Sequence, residues 1–221
     1  MPAIVIAVDG PSGSGKSSVS KGVAQRLGYD YLDTGAMYRA VTWWGLTHDV
    51  SAHDVAGRLA ECVIVSGTSP DSPTITVNGE DVSETIRTPE VTAAVSAYSA
   101  VPEVRAALVA QQRAVAASAN HGLVAEGRDL GTVVFPDADL KVYLTADVAA
   151  RAQRRAAEDV ERGHGADVAD THESLAARDA ADSTRTVSPL QAAEDAVAVD
   201  ATYMTLAEVV DYVTALVKEA S

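Results

Sequence analysis

Gly10-Pro11-Ser12-Gly13-Ser14-Gly15-Lys16-Ser17 matches the pattern G-x-x-x-x-G-K-[ST], and no other stretch constrains the fold as strongly. It follows the apolar run Ala3–Val8, whose lack of alternation predicts a strand buried on both faces of a parallel sheet. It precedes Lys16–Leu27, where Val19, Val23 and Leu27 recur at helical spacing. A chance Gly/Ser turn would lack this strand and helix. The glycines let the backbone wrap so that successive N–H groups face phosphate oxygens, and the helix adds its positive end. Lys16 is placed to neutralise the β- and γ-phosphates, and the Ser17 hydroxyl to ligate Mg²⁺.

The 221 residues suffice for one α/β domain with a small insertion. Alternating strand and helix patterns predict a parallel sheet covered on both faces. Strands are expected at Tyr29–Leu32, Leu123–Ala125, Leu140–Leu144 and Ala196–Val199. Helices are expected at Ala36–His48, Ala52–Leu59, Pro102–Ala117 and Val148–Arg162, and from Asp170-x-x-Glu173 towards Arg185. Thr88-Pro89 starts another helix, and the capping box Thr205-x-x-Glu208 opens the last, predicted to bury Leu206, Val209, Val213 and Leu216. Between Cys62 and Glu84 two short strand patterns flank Asn78-Gly79, a strong hairpin signal and the mark of an antiparallel insertion.

The net charge of −14 excludes binding to nucleic acid or anionic membrane through the overall field, so phosphate must be met by a local concentration of positive charge. The lone Cys62, among apolar neighbours, is read as a buried thiol, and the five scattered histidines show no metal-ligand spacing. No apolar run approaches a membrane span, and Ala3–Val8 lacks the basic flank of a signal peptide, so a soluble cytoplasmic protein is expected.

A phosphate loop alone leaves GTPase, motor ATPase, kinase and regulator open. Neither Asn78 nor Asn120 is followed by Lys, which removes the guanine-reading Asn-Lys-x-Asp. A small-molecule kinase needs a second positive cluster, and three segments carry one. These are Asp33-Thr34-Gly35-Ala36-Met37-Tyr38-Arg39, Glu126-Gly127-Arg128-Asp129-Leu130-Gly131-Thr132, and Arg178, Asp182 and Arg185, which on one helix would share about a 60° sector. Each could singly be a surface ion pair or turn chemistry. Beside a phosphate loop at strand ends, they read together as an acceptor site.

These motifs, with Gly127–Ala138, Arg178-Asp179-x-x-Asp182-Ser183-x-Arg185 and Ser188-Pro189-Leu190, resemble the bacterial cytidylate kinase family from about residue 3 to 217. The resemblance implies a P-loop kinase fold with a five-stranded parallel sheet and transfer of the ATP γ-phosphoryl group to CMP or dCMP, with Mg²⁺. It implies ATP contacts along Gly10–Ser18, including Ser18. Thr34, Arg39 and Arg128 would hold the acceptor phosphate, and Ser96, Arg105 and Asp129 would read cytosine. Arg178 and Asp182 would hold the sugar, with Arg185 between sugar and base. Lys16, Arg39, Arg128, Arg151 and Arg155 would serve the transfer. The family organisation implies a core at 1–35 and 120–221, a monophosphate-binding region at 36–100 with its insertion at about 62–84, and a lid at 151–170 whose loop holds Gly163 and Gly165. A monomer is expected. The rivals are another acceptor on the same fold (UMP, AMP or a metabolite such as shikimate) and a non-catalytic nucleotide-binding regulator.

Overall fold

The computed structural model describes residues 3–161 and 168–220. Five parallel strands, β1 (Ile4–Asp9), β2 (Asp30–Asp33), β6 (Gly122–Gly127), β7 (Leu140–Thr145) and β8 (Val197–Asp200), lie in the order β2-β6-β1-β7-β8. The run of β1 is buried on both faces as its pattern predicts. Ala7 joins one core with Leu32, Leu123 and Ala125, while Ile6 and Val8 join the other with Val124, Val142 and Leu144.

The second core is closed by α1 (Lys16–Leu27) and α7 (Leu206–Ala220). The first is closed by α2 (Thr34–Thr47), α3 (Pro89–Ser99) and α4 (Pro102–Ser118). Asp33 caps α2 by accepting from the Ala36 N–H, and Thr88 caps α3 by accepting from Val91, each satisfying an amide the helix cannot. The box at α7 forms in both directions: Thr205 N–H donates to Glu208 Oε2 at 2.8 Å and Glu208 N–H to Thr205 Oγ1 at 3.3 Å.

The insertion is the antiparallel sheet β3 (Ile64–Ser66), β4 (Ile75–Val77) and β5 (Glu80–Asp81). Asn78 and Gly79 have φ of 52° and 85°, the left-handed pair that matches the twist of a two-residue hairpin. Ile64, Ile75 and Val77 enter the first core, so the insertion packs onto the sheet domain. Its linker covers the edge of β2: the Tyr31 N–H donates to the Thr68 carbonyl, and Thr68 Oγ1 to Asp30 Oδ1, both at 2.8 Å. Cys62 is buried there, and burial pushes its thiol up to about 12.

Three expectations are corrected. The helix expected at Ala52–Leu59 is a 3₁₀ helix over Val55–Glu61, a short segment with Gly57 inside it that must stop at Cys62 to enter β3. Arg185 does not share a helix with Arg178 and Asp182, because α6 (Val168–Ser183) ends before it. Leu206 is 52% exposed; α7 meets the core only from Val209 onward, through Val209, Val210, Val213 and Val217, while Leu216 is half-buried. Of the expected lid, α5 (Val148–Glu161) and the start of α6 are present, and the loop with Gly163 and Gly165 lies outside the described residues.

Candidate active site

The carboxyl ends of β1, β2 and β6 deliver Asp9, Asp33 and Glu126 to one edge of the sheet, where open parallel sheets place their ligands. A cavity of about 570 Å³ opens there. Gly10, the first residue past β1, has φ of +150°, and a Cβ on it would come 2.0 Å from the Leu144 carbonyl oxygen, so the loop can leave the strand only as glycine. Ser12, Gly13 and Gly15 to Ser18 line the cavity, whereas Gly10, Pro11 and Ser14 lie behind them. Lys16 Nζ donates to the Pro11 carbonyl at 2.7 Å; burial and then Arg128 push its pKa down to about 8.

Asp9 also organises the turn after β6. Its two carboxylate oxygens accept from the N–H groups of Leu130 and Gly131 at 2.9 and 2.8 Å, and burial pushes its carboxyl up to about 6. That turn is π-helical from Leu130 to Val134, and Arg128 and Asp129, just before it, line the cavity. Glu126 accepts from the Tyr31 hydroxyl at 2.5 Å, and both Glu126 and Ser17 line the cavity. Burial, and then its sheet neighbour Asp33, raise its carboxyl above the usual range.

Facing the loop stands a wall of arginines. Arg39 is buried and donates to the Ile86 carbonyl at 3.0 Å and Thr92 Oγ1 at 2.9 Å. Burial, followed by Arg178, Arg155 and Arg87, pushes it down to about 9. Burial and Arg128 bring Arg178 to about 10. A guanidinium keeps its proton in a protein, so these shifts express first the cost of withdrawing two cations from water and then the presence of neighbouring arginines. Arg128 Nε lies 2.6 Å from Asp182 Oδ2 as an ion pair without good hydrogen-bond alignment, and its Nη1 donates to the Gly10 carbonyl at 3.2 Å.

Deeper in, Arg105 Nη2 donates to Asp129 Oδ2 at 2.5 Å, and the guanidinium lies 5.0 Å over the Tyr38 ring. Ser96 lines the same end from α3. Arg185, although past α6, returns to this group: it is 3.5 Å from Asp182 Oδ1 and donates to Ser99 Oγ at 3.4 Å. Thr34 donates its hydroxyl to the Glu126 carbonyl at 2.7 Å, tying α2 to β6 at the cavity wall.

The α5 arginines divide. Arg155 lines the cavity. Arg151 donates to the Ser12 and Ala146 carbonyls and to Asp179, so in this structure it braces the loop from outside the cavity wall. Asp9, Glu126 and Asp179 carry no expected role in the sequence, although Asp9 directly precedes the phosphate loop and the other two stand within the Glu126–Thr132 and Arg178–Arg185 motifs. An acid next to Gly at a strand end was the signal for the first two.

The family model for cytidylate kinase matches residues 6–219. A cytidylate kinase of Streptomyces griseus is 56% identical over 218 residues, covering 97% of this chain and 93% of its own. One from Streptomyces coelicolor is 56% identical over 221 residues, covering 99% and 94%, and one from Nocardia farcinica is 51% identical over 219, covering 98% and 94%.

Proposed function

The chain belongs to the cytidylate kinase family, and on that premise we propose that its phosphate loop takes ATP while the facing arginine wall takes the phosphate of CMP or dCMP. The enzyme is a phosphotransferase that moves the γ-phosphoryl group of ATP to CMP or dCMP. The bond from the β–γ bridging oxygen to the γ-phosphorus breaks, one from an acceptor phosphate oxygen forms, and ADP with CDP or dCDP results.

The observation that carries the division is the gathering of Arg39, Arg128, Arg155 and Arg178 in one cavity with Lys16. Phosphate groups bound there would balance this positive charge. Two polyanions repel each other, so catalysis here consists of holding them in line and spreading their charge. Lys16 and the loop amides hold the donor end. Arg39, Arg128 and Arg155 meet the transferring group and the acceptor phosphate. Arg178 and Asp182 take the sugar, with Arg185 between sugar and base, and Ser96, Arg105 and Asp129 read cytosine. Thr34 orders the start of α2 behind the acceptor phosphate. The acceptor is already an anion at neutral pH, so the mechanism needs no general base.

Ser17 and Glu126 both line the cavity and carry oxygen donors, which suits a hard cation such as Mg²⁺. Bound there, Mg²⁺ would supply charge neutralisation at the β- and γ-phosphates. Tyr31 fixes the rotamer of Glu126.

The proposed enzyme is a monomer. Among the described residues no helix is long and apolar enough to cross a membrane, and a cytoplasmic site would suit an ATP-dependent enzyme. Coupled ADP release with CMP, dCMP, UMP and AMP in turn tests the assignment. Turnover with CMP and dCMP at least tenfold above the other two is expected, and equal turnover with all four would refute the base-reading site.

A further inference from the structure

Helix α6 carries Arg178 and Asp182 on the acceptor side, and between them Asp179, whose carboxylate stays outside the cavity wall. It reaches the phosphate loop instead. Asp179 Oδ1 accepts from the Ser12 N–H at 3.2 Å, and Oδ2 accepts from Arg151 Nη1 at 2.5 Å. The same Arg151 nitrogen donates to the Ser12 carbonyl at 2.9 Å, closing a ring through both polar backbone groups of Ser12. The ion pair is largely withdrawn from water, with side chains 9% and 17% exposed, where such a pair fixes geometry more than it adds stability.

An ion pair that merely joined α5 to α6 would not need Ser12. The ring adds a direct link between the donor loop and the helix that holds the acceptor side. A second link runs parallel to it, from Asp182 to Arg128 and on to the Gly10 carbonyl. Helix α6 is therefore pinned to the loop at Gly10 and at Ser12. Gly13 follows at once, and a Cβ there would lie 3.0 Å from the Arg151 carbonyl oxygen, so α5 is packed against the same turn.

We propose that Asp179 is a positioning residue that registers the donor loop against the acceptor helix, so that either nucleotide, once bound, orders the site for the other. The inference rests on the division of the cavity proposed above. In-line transfer requires the reacting atoms within about 3–3.5 Å, and a displacement of about 1 Å can cost on the order of 10²-fold in rate. Loss of the ring therefore acts on kcat and on the coupling between sites. Each nucleotide keeps its own contacts and its own affinity.

The test is calorimetric titration of the full chain with a non-hydrolysable ATP analogue, with and without CMP, alongside steady-state kinetics. In the unsubstituted enzyme CMP should tighten the analogue by at least about fivefold, the lower end of ordinary coupling. In Asp179→Ala the tightening should fall below about twofold and kcat by about 10–100-fold, while each nucleotide alone keeps its Kd within about threefold. Asp179→Asn keeps an oxygen for the Ser12 N–H and should retain intermediate coupling; it carries the test if the alanine variant does not fold. Coupling absent from the unsubstituted enzyme, coupling retained in the alanine variant, or an equal loss of affinity for both nucleotides would each overturn the inference. Asp182→Ala, measured in parallel, separates the two readings. If it leaves CMP affinity unchanged, the acceptor site itself is misplaced; if it weakens CMP while Asp179→Ala keeps its coupling, only the role of Asp179 fails.

Discussion

Arg105 on α4 and Asp129 in the turn after β6 meet at 2.5 Å with side chains only 4% and 7% exposed. A pair this deep adds little net stability, because desolvation offsets most of the Coulomb attraction. Its use lies in orientation. Arg105 is held from the other side by the Ser99 carbonyl at 3.0 Å, and its Nε has no hydrogen-bond partner among the described residues, so a buried donor stands beside a buried acceptor in the cavity. Cytosine offers the complementary N4 donor and N3 acceptor, where uracil presents an O4 acceptor and an N3 donor.

Asp129→Asn should therefore lower the CMP:UMP ratio of kcat/KM by at least about tenfold, chiefly by loss of CMP turnover. The amide can donate to uracil O4 but no longer balances Arg105. If kcat/KM falls equally for both substrates, Asp129 serves only the shape of its turn.

Lys16→Ala should reduce kcat/KM on the order of 10³-fold with an unchanged circular dichroism spectrum, since Lys16 meets opposing charge chiefly in the nucleotide complex. The lowered pKa adds a sign that can be checked. Held at about 8 against its ordinary 10.5, Lys16 binds fewer protons folded than unfolded between those values, so its contribution to stability rises with pH across that window. Phosphate binding reverses the shift. At about pH 8.5 binding of the ATP analogue should be accompanied by net proton uptake, read from calorimetry in buffers of different ionisation enthalpy, and Lys16→Ala should abolish this uptake.

Asp182→Ala removes the partner of Arg128 at 2.6 Å and of Arg185 at 3.5 Å. The cations left behind repel one another across the sugar site. CMP and dCMP should both lose about 10²-fold in kcat/KM, while ATP-analogue affinity stays within about threefold. Loss of donor binding alone would place α6 on the donor side.

Gly45→Ala is a packing test away from the chemistry. A Cβ there would come 2.5 Å from Tyr98 Cε1, and Tyr98 cannot withdraw without breaking its 2.7 Å hydrogen bond to the Val50 carbonyl. The cost should be about 2 kcal/mol, a fall in Tm of roughly 4–8 °C, with kcat of the folded enzyme unchanged. Gly57→Ala, whose Cβ would meet open space, should hold or raise Tm. A Tm for Gly45→Ala within a degree of the parent would show that α2 and α3 adjust freely.

What sequence alone determined is what short-range physics specifies. The apolar run of β1, the glycines and lysine of the loop, the Asn78-Gly79 hairpin and the Thr205/Glu208 box each depend on residues within a few positions of one another, so their spacing is their geometry. The order β2-β6-β1-β7-β8, the ring joining Ser12 to Asp179 and the hold of Asp9 on Leu130 and Gly131 were settled only by tertiary structure. Arg151 shows the reason: as an arginine on a helix it could face solvent, ligand or loop, and its sequence neighbours are the same in every case. Arg185 shows it again, placed by spacing on a helix that stops short of it, yet returned to Asp182 by the loop it stands on. Pairings across a hundred or more residues are chosen by which elements the core brings together, because a charge pattern fits many partners and only burial selects one.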